Sequence, residues 1–160
     1  LPKWDIRDPH LAWQIAETYG DLRDKAFRLF PDAMDSLERF RSHGIKLAMV
    51  TNGKAETQWN KIRRFNLEPL FECILVEGEL GFGKPETAVY HLALDQLGVT
   101  AEETWMIGDN YAWEVEAPQR LGIKGIWIDH AGAGIPAGAS EQPFMIIKSL
   151  GDLAAVMPEV

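Results

Sequence analysis

The chain has 160 residues, a formal net charge of -8, 46% apolar residues and 25% charged residues. That length builds one domain, or one domain and a fragment of a second, around a real core, and the composition is that of a globular chain rather than a disordered one. The acidic balance argues against a nucleic-acid partner, which needs clustered Lys and Arg, but admits a small anionic ligand wherever a metal or one lysine inverts the local field.

The spacing of Leu11, Ala12, Ile15, Ala16 and Tyr19 predicts a helix over His10 to Tyr19, with Gly20 as its stop. Pro31 to His43 repeats the pattern through Ala33, Met34, Leu37 and Phe40, with Gly44 in the stop position. The run IKLAMV, Ile45 to Val50, reads as a buried strand. Lys54 to Phe65 is a polar helix with Trp59, Ile62 and Phe65 inward. Glu72 to Val76 is a strand carrying Cys73, which as the sole cysteine forms no internal disulfide and reads as a small buried residue. Glu86 to Leu97 is a helix ending at Gly98, and Thr104 to Ile107 a strand. Ala112 to Leu121 is a helix that Pro118 kinks and Gly122 stops. Gly125 to Ile128 and Phe144 to Ile147 are strands flanking the Gly/Ala/Pro-rich loop Ala131 to Ala139, and Leu150 to Val156 closes the chain as a helix. Trp4, Trp13, Trp59, Trp105 and Trp127 are expected to pack. No apolar run reaches the roughly 20 residues of a membrane span and no signal peptide is visible, so the expectation is a cytoplasmic protein without a membrane partner.

Strands spaced by helices of about ten residues define βαβ units, and so an α/β fold with a mainly parallel sheet. Ligands in such sheets bind at the carboxyl ends of the strands. Thr51-Asn52-Gly53, Glu77 to Pro85, Gly108-Asp109-Asn110 and Asp129-His130 therefore converge on one edge. Thr51 to Gly53 either cradles an oxyanion or caps the next helix. Lys84 stands before Pro85 at a predicted helix start, where the dipole repels it, unless an anion is its partner. Asp109 and Glu114 flank the first turn of the next helix, as helix-dipole chemistry favours and as magnesium would require.

The ordered set VTNG, GKP and MIGDN-x3-E, each after an apolar strand, resembles the haloacid dehalogenase-like (HAD) hydrolase superfamily over roughly Phe30 to Val156. The resemblance implies a three-layer Rossmannoid core over residues 31–160, with residues 1–30 as the remnant of a helical cap. It implies that Thr51, Asn52 and Gly53 bind the phosphoryl oxygens, that Lys84 neutralises charge, that Asp109 ligates Mg2+, that Glu114 acts through a metal-bound water and that Asn110 touches that shell. Members of the superfamily begin with a strand ending Asp-x-Asp, whose first aspartate forms an aspartyl-phosphate and whose second acts as acid and base. No such strand is present here: Asp5-Ile6-Arg7-Asp8 and Asp21-Leu22-Arg23-Asp24 have other spacings, and Asp32 and Asp35 fall at a helix start. The family's first strand is central, so the expectation is an incomplete sheet with a gap between the strands ending at Thr51 and Gly108. The chain begins LPKW, without methionine, and the missing segment is expected to belong to the same polypeptide. The function implied is the C-terminal part of a magnesium-dependent phosphatase for a small phosphorylated metabolite, inactive alone. The alternatives are a metal-free 2-haloacid dehalogenase, whose pattern Trp113 resembles, and a non-catalytic scaffold. Asp109 favours the phosphatase, because dehalogenases tend to carry serine there.

Overall fold

The computed structural model describes residues 8–156; Trp4 and the Asp5 to Arg7 stretch lie outside the described residues. The first helix, α1, spans Pro9–Ala26. Asp8 caps it, its carboxylate accepting the His10 N–H at 2.9 Å, and Pro9 takes the first helical position, where a missing N–H costs nothing. Gly20 does not end α1. The glycine stops that do hold, Gly44, Gly98 and Gly122, have φ of 73°, 62° and 87°, whereas Gly20 is not among the positive-φ glycines. Leu11, Trp13, Ile15, Tyr19 and Leu22 of α1 are all exposed, so Trp13 is not a packing residue.

The order continues with α2 (Ala33–Ser42), β1 (Ala48–Thr51), α3 (Ala55–Arg64), a 3-10 turn, β2 (Cys73–Val76), α4 (Glu77–Leu80) and α5 (Thr87–Leu97). Then come β3 (Trp105–Gly108), a π-helical turn (Ala112–Glu116), α6 (Ala117–Gln119), β4 (Lys124–Ile128), β5 (Met145–Ile147) and α7 (Leu150–Ala155). β1 is shorter than the apolar run that predicts it. The Ile45 N–H returns to the Phe40 carbonyl at 3.1 Å and closes α2, so Ile45 belongs to the turn and is exposed. Lys46 then reaches across to the Leu97 carbonyl at 2.7 Å, and pairing begins only at Ala48.

All strand pairs are parallel, but they form two sheets, β1–β2 and β3–β4–β5, and no ladder joins β1 to β3 among the described residues. The same helices cover both. Side chains alternate faces, as strand geometry requires. Val50 of β1, Leu75 of β2 and Met106 of β3 pack under Val89, Tyr90 and Leu94 of α5. On the opposite face Leu37 of α2 touches the clusters of both sheets, with Ile107, Ile126 and Ile147 on one side and Met49 and Val76 on the other. The result is a three-layer α/β sandwich whose middle layer is split. The two strands bordering the split are the less covered: β1 is half-buried throughout and β3 is exposed at Trp105, whereas the three central residues of β4 are buried. No described helix is long and apolar enough to cross a membrane.

Candidate active site

The turn after β1 is held by the first residues of the segment that follows β2. Gly53 takes φ 126°, and its N–H donates to Glu77 Oε2 at 2.8 Å while its carbonyl accepts the Gly78 N–H at 3.0 Å. Neither Thr51 nor Asn52 caps α3; the N-cap is Lys54, which makes no side-chain cap bond. Asn52 instead spans to the next loop. Its Nδ2 donates to the Lys84 carbonyl at 2.7 Å and its Oδ1 accepts the Lys84 N–H at 2.9 Å. Lys84 precedes a cis peptide to Pro85, and α5 begins only at Thr87, so Pro85 lies in the preceding turn rather than at the first helical position.

With its main chain fixed at both polar groups, Lys84 sends its ammonium to Glu114 Oε1 at 2.6 Å. The side chains of the pair are 11% and 4% exposed, which makes it a buried ion pair rather than a surface one. Glu114 Oε2 accepts the Asn110 N–H at 2.7 Å, so both carboxylate oxygens are occupied. Burial pushes the Glu114 carboxyl above its ordinary range, and the Lys84 charge and the Asn110 N–H pull it back part of the way. Glu114 thus fulfils the helix-start reading of the sequence, and its proximity to Lys84 is an addition that no spacing rule supplied. Its carboxylate lies over Gly108, where a Cβ would overlap Glu114 Cγ and stand 2.7 Å from Cδ. A residue with a side chain at 108 therefore displaces Glu114.

A continuous bonded path results. It runs from Asn52 to Lys84, from Lys84 to Glu114 and from Glu114 to Asn110, linking the loops after β1, β2 and β3. Asn110 also caps its own turn, its Oδ1 accepting the Trp113 N–H at 3.3 Å. Thr51 and Asp109 border this path at the ends of β1 and β3, and neither the Thr51 hydroxyl nor the Asp109 carboxylate makes a hydrogen bond among the described residues. Asp109 is exposed and Thr51 half-buried. The fourth strand end does not join. Asp129 turns away to accept the N–H groups of Ala133 and Gly134, each at 2.9 Å, and His130 stacks on Phe30 with ring centroids 4.2 Å apart.

The segment after Asn110 corrects the predicted helix. It is a π turn over Ala112–Glu116 that passes into the short α6, where Pro118 is buried. A single π turn inserted near a functional site widens the helix and re-aims its side chains. Sequence reasoning named Glu77 only as the start of the segment after β2 and gave it no role. It missed Tyr90, because that hydroxyl acts through a fold contact, donating to the Trp113 carbonyl at 2.6 Å. Trp127 is buried against Tyr111 as expected, but Trp105 is 42% exposed.

Magnesium takes one or two carboxylates and completes its shell with waters and substrate phosphate. No group of three or more His, Cys, Asp or Glu side chains is assembled among the described residues, which excludes an all-protein cage there. The donor set fits the smaller share: the Asp109 carboxylate makes no hydrogen bond among the described residues, whereas each Glu114 oxygen already accepts one.

A parallel α/β sandwich with a lysine, a hydroxyl and carboxylates at its strand ends is Rossmann-like in architecture, and ligands of such sheets bind outside the carboxyl ends of the strands. The haloacid dehalogenase-like hydrolase family matches residues 6–128, and the chain belongs to it. It is 34% identical over 121 residues to a phosphoserine phosphatase of Thermus thermophilus, covering 76% of this chain and 48% of that protein. An HAD phosphatase from Thermococcus onnurineus superposes with a TM-score of 0.75 at 25% identity, over 86% of this chain and 63% of that one. A 2-haloacid dehalogenase from Pseudomonas syringae superposes with a TM-score of 0.72 at 27% identity, over 94% of this chain and 64% of that one. The chain spans about half the length of the curated relatives it matches.

Proposed function

We propose that these residues form part of a magnesium-dependent phosphatase acting on a small phosphorylated metabolite, and that they do not hydrolyse it unaided. The observation that carries the reading is the bonded path Asn52–Lys84–Glu114–Asn110 at the mouth of the split between β1 and β3. A transferring phosphoryl group spreads negative charge over its oxygens, so the protein's work is positioning and neutralisation. Lys84 supplies the fixed positive charge, oriented from both of its main-chain groups by Asn52. Thr51 donates its hydroxyl to a phosphoryl oxygen, with the Asn52 and Gly53 backbone beside it. Asp109 would hold Mg2+ directly and Glu114 through water, and the bound ion would supply further charge neutralisation. Glu114 meanwhile holds the Lys84 ammonium in place, and Asn110 keeps Glu114 in place.

The nucleophile comes from outside these residues. Asp109, at the end of β3 beside the split, is assigned to the metal, no strand lies in the split among the described residues, and an additional parallel strand there would pair the open sides of both sheets. An aspartate at its carboxyl end attacks phosphorus as the bond to the leaving alcohol breaks. A second acid protonates that alcohol, and water then attacks the acyl phosphate at phosphorus, freeing inorganic phosphate and restoring the carboxylate. The curated relatives named as phosphatases support this reading over the dehalogenase, as does the carboxylate at Asp109.

The test compares the 160-residue chain with the same chain joined to an Asp-x-Asp strand, assayed on p-nitrophenyl phosphate and on 2-chloropropionate with magnesium or with EDTA. Phosphate release is expected only from the extended chain and only with magnesium. Chloride release in EDTA would establish the dehalogenase instead. Hydrolysis by the unextended chain would overturn the need for an added strand.

A further inference from the structure

The main-chain carbonyl of Trp113 has no donor in either helical register. In an α-helix it would accept the N–H of Ala117, but that N–H goes to the Ala112 carbonyl, one residue further back. In π register the donor would be residue 118, and Pro118 has no N–H. A partly buried carbonyl left in that state is costly. Tyr90 Oη meets it from α5 at 2.6 Å.

Tyr90 is built for one bond. Its ring is 2% exposed and packed among Leu75, Val89, Leu94 and Ile123, so the hydroxyl is the one polar atom of an apolar side chain and is aimed at the π turn. The turn is confined from two other sides. Gly125 of β4 lies so near that a Cβ there would stand 2.7 Å from Val115 Cα and 2.9 Å from the Glu114 carbonyl oxygen, and Gly108 of β3 lies under the Glu114 side chain. Strands thus hold the turn from below and Tyr90 holds it from the helix layer. The residue that follows the clamped carbonyl is Glu114.

We infer that Tyr90 is a positioning residue for the Lys84–Glu114 pair: its hydroxyl fixes the π turn that directs Glu114 at Lys84. Lys84 lies just ahead of α5, the helix that carries Tyr90, so one segment delivers both the cation and the clamp that aims its partner. Tyr111 provides an internal contrast, because its hydroxyl donates to the Glu141 carbonyl at 2.7 Å and ties the same region to a distant loop. The consequence for phosphoryl transfer rests on the role proposed above for Lys84; the positioning does not.

The test uses the whole 160-residue chain and two readouts that need no catalysis. Hydrogen exchange at the Asn110 amide reports its bond to Glu114, and the rate of reductive methylation at Lys84, followed by mass spectrometry against Lys46, reports the ion pair. Tyr90→Phe is expected to lower Asn110 protection about tenfold or more and to speed Lys84 labelling several-fold, with β3 and β4 amides unchanged. Tyr111→Phe is expected to move neither readout. In a Glu114→Gln background, Tyr90→Phe is expected to add nothing to Lys84 labelling, since the route through Glu114 is already cut. Native values in Tyr90→Phe would overturn the inference, and so would an equal acceleration in the Glu114→Gln background. Loss of protection throughout β3 and β4, or a chain that no longer folds, would overturn it too, by making the hydroxyl a determinant of the fold rather than of the pair. An extended chain that fails to cleave phosphate esters would defeat the phosphatase reading and leave both readouts as stated.

Discussion

Replacing Lys84 with methionine keeps most of the aliphatic stem and removes the charge, leaving Glu114 4% exposed with only the Asn110 N–H on its second oxygen. Breaking one side of a buried pair typically costs about 3–5 kcal/mol, because the remaining charge is uncompensated. Glu114 has a way to limit that cost: it can take up a proton. From its ordinary value of 4.5, holding it neutral at pH 7 costs at most about 1.36 × 2.5, or roughly 3 kcal/mol, and at pH 5 only about 0.7 kcal/mol. The sign follows from the direction of the shift. A carboxyl whose folded value is raised contributes stability below the unfolded value, and loses it as pH rises through the folded one. Lys84→Met is therefore expected to be destabilised by about 3 kcal/mol at pH 7 and by less than about 1 kcal/mol at pH 5, measured by urea unfolding. The double variant Lys84→Met/Glu114→Gln, which carries no charge at this site, should lose that pH dependence. A loss equal at both pH values, or one below about 1 kcal/mol at pH 7, would refute the assignment of the pair as buried and coupled.

Gly108→Ala puts a methyl into Glu114 and is expected to cost about 1–3 kcal/mol, with Lys84 labelling faster as the carboxylate is driven off; thermal melts and labelling check both. Asn52→Ala leaves the half-buried N–H and carbonyl of Lys84 without their partner and is expected to cost about 1–3 kcal/mol in urea unfolding. Asp129 is held below its ordinary 3.8 first by the Gly134 N–H, so its contribution is present above pH 3.8 and lost as pH falls through the lower folded value. Exchange at the Ala133 and Gly134 amides should therefore rise selectively below pH 3.8, and Asp129→Asn should remove that pH dependence.

Much of the fold was legible because the strands are short apolar runs and three of the four glycines read as helix stops take left-handed backbone. The errors lie where local signals mislead. Gly20 reads as a stop, yet α1 continues through it in helical conformation. Ile45 and Lys46 look like strand but serve the end of α2 and the end of α5. At the site, spacing brought Thr51, Lys84, Asp109 and Glu114 to one edge, since parallel strands deliver their carboxyl ends together. It could not reveal that Asn52 would hold the Lys84 main chain, or that Glu114 would be committed on both oxygens. Those facts depend on side-chain directions across loops, and in Glu114's case on a π turn whose one sequence trace is Pro118.

The split middle layer has a consequence for how the chain behaves among copies of itself. Among the described residues, β1 and β3 each carry one row of main-chain donors and acceptors with no strand alongside, and β5 closes the second sheet with Ile146 48% exposed. Natural sheets shield such rows with charges, bulges or a covering segment, because an unshielded row recruits any extended chain that meets it. None of the four residues of β1 or of β3 is charged. Isolated copies of these 160 residues are accordingly expected to associate along those rows as concentration rises, and a short soluble strand peptide added in excess is expected to compete for them.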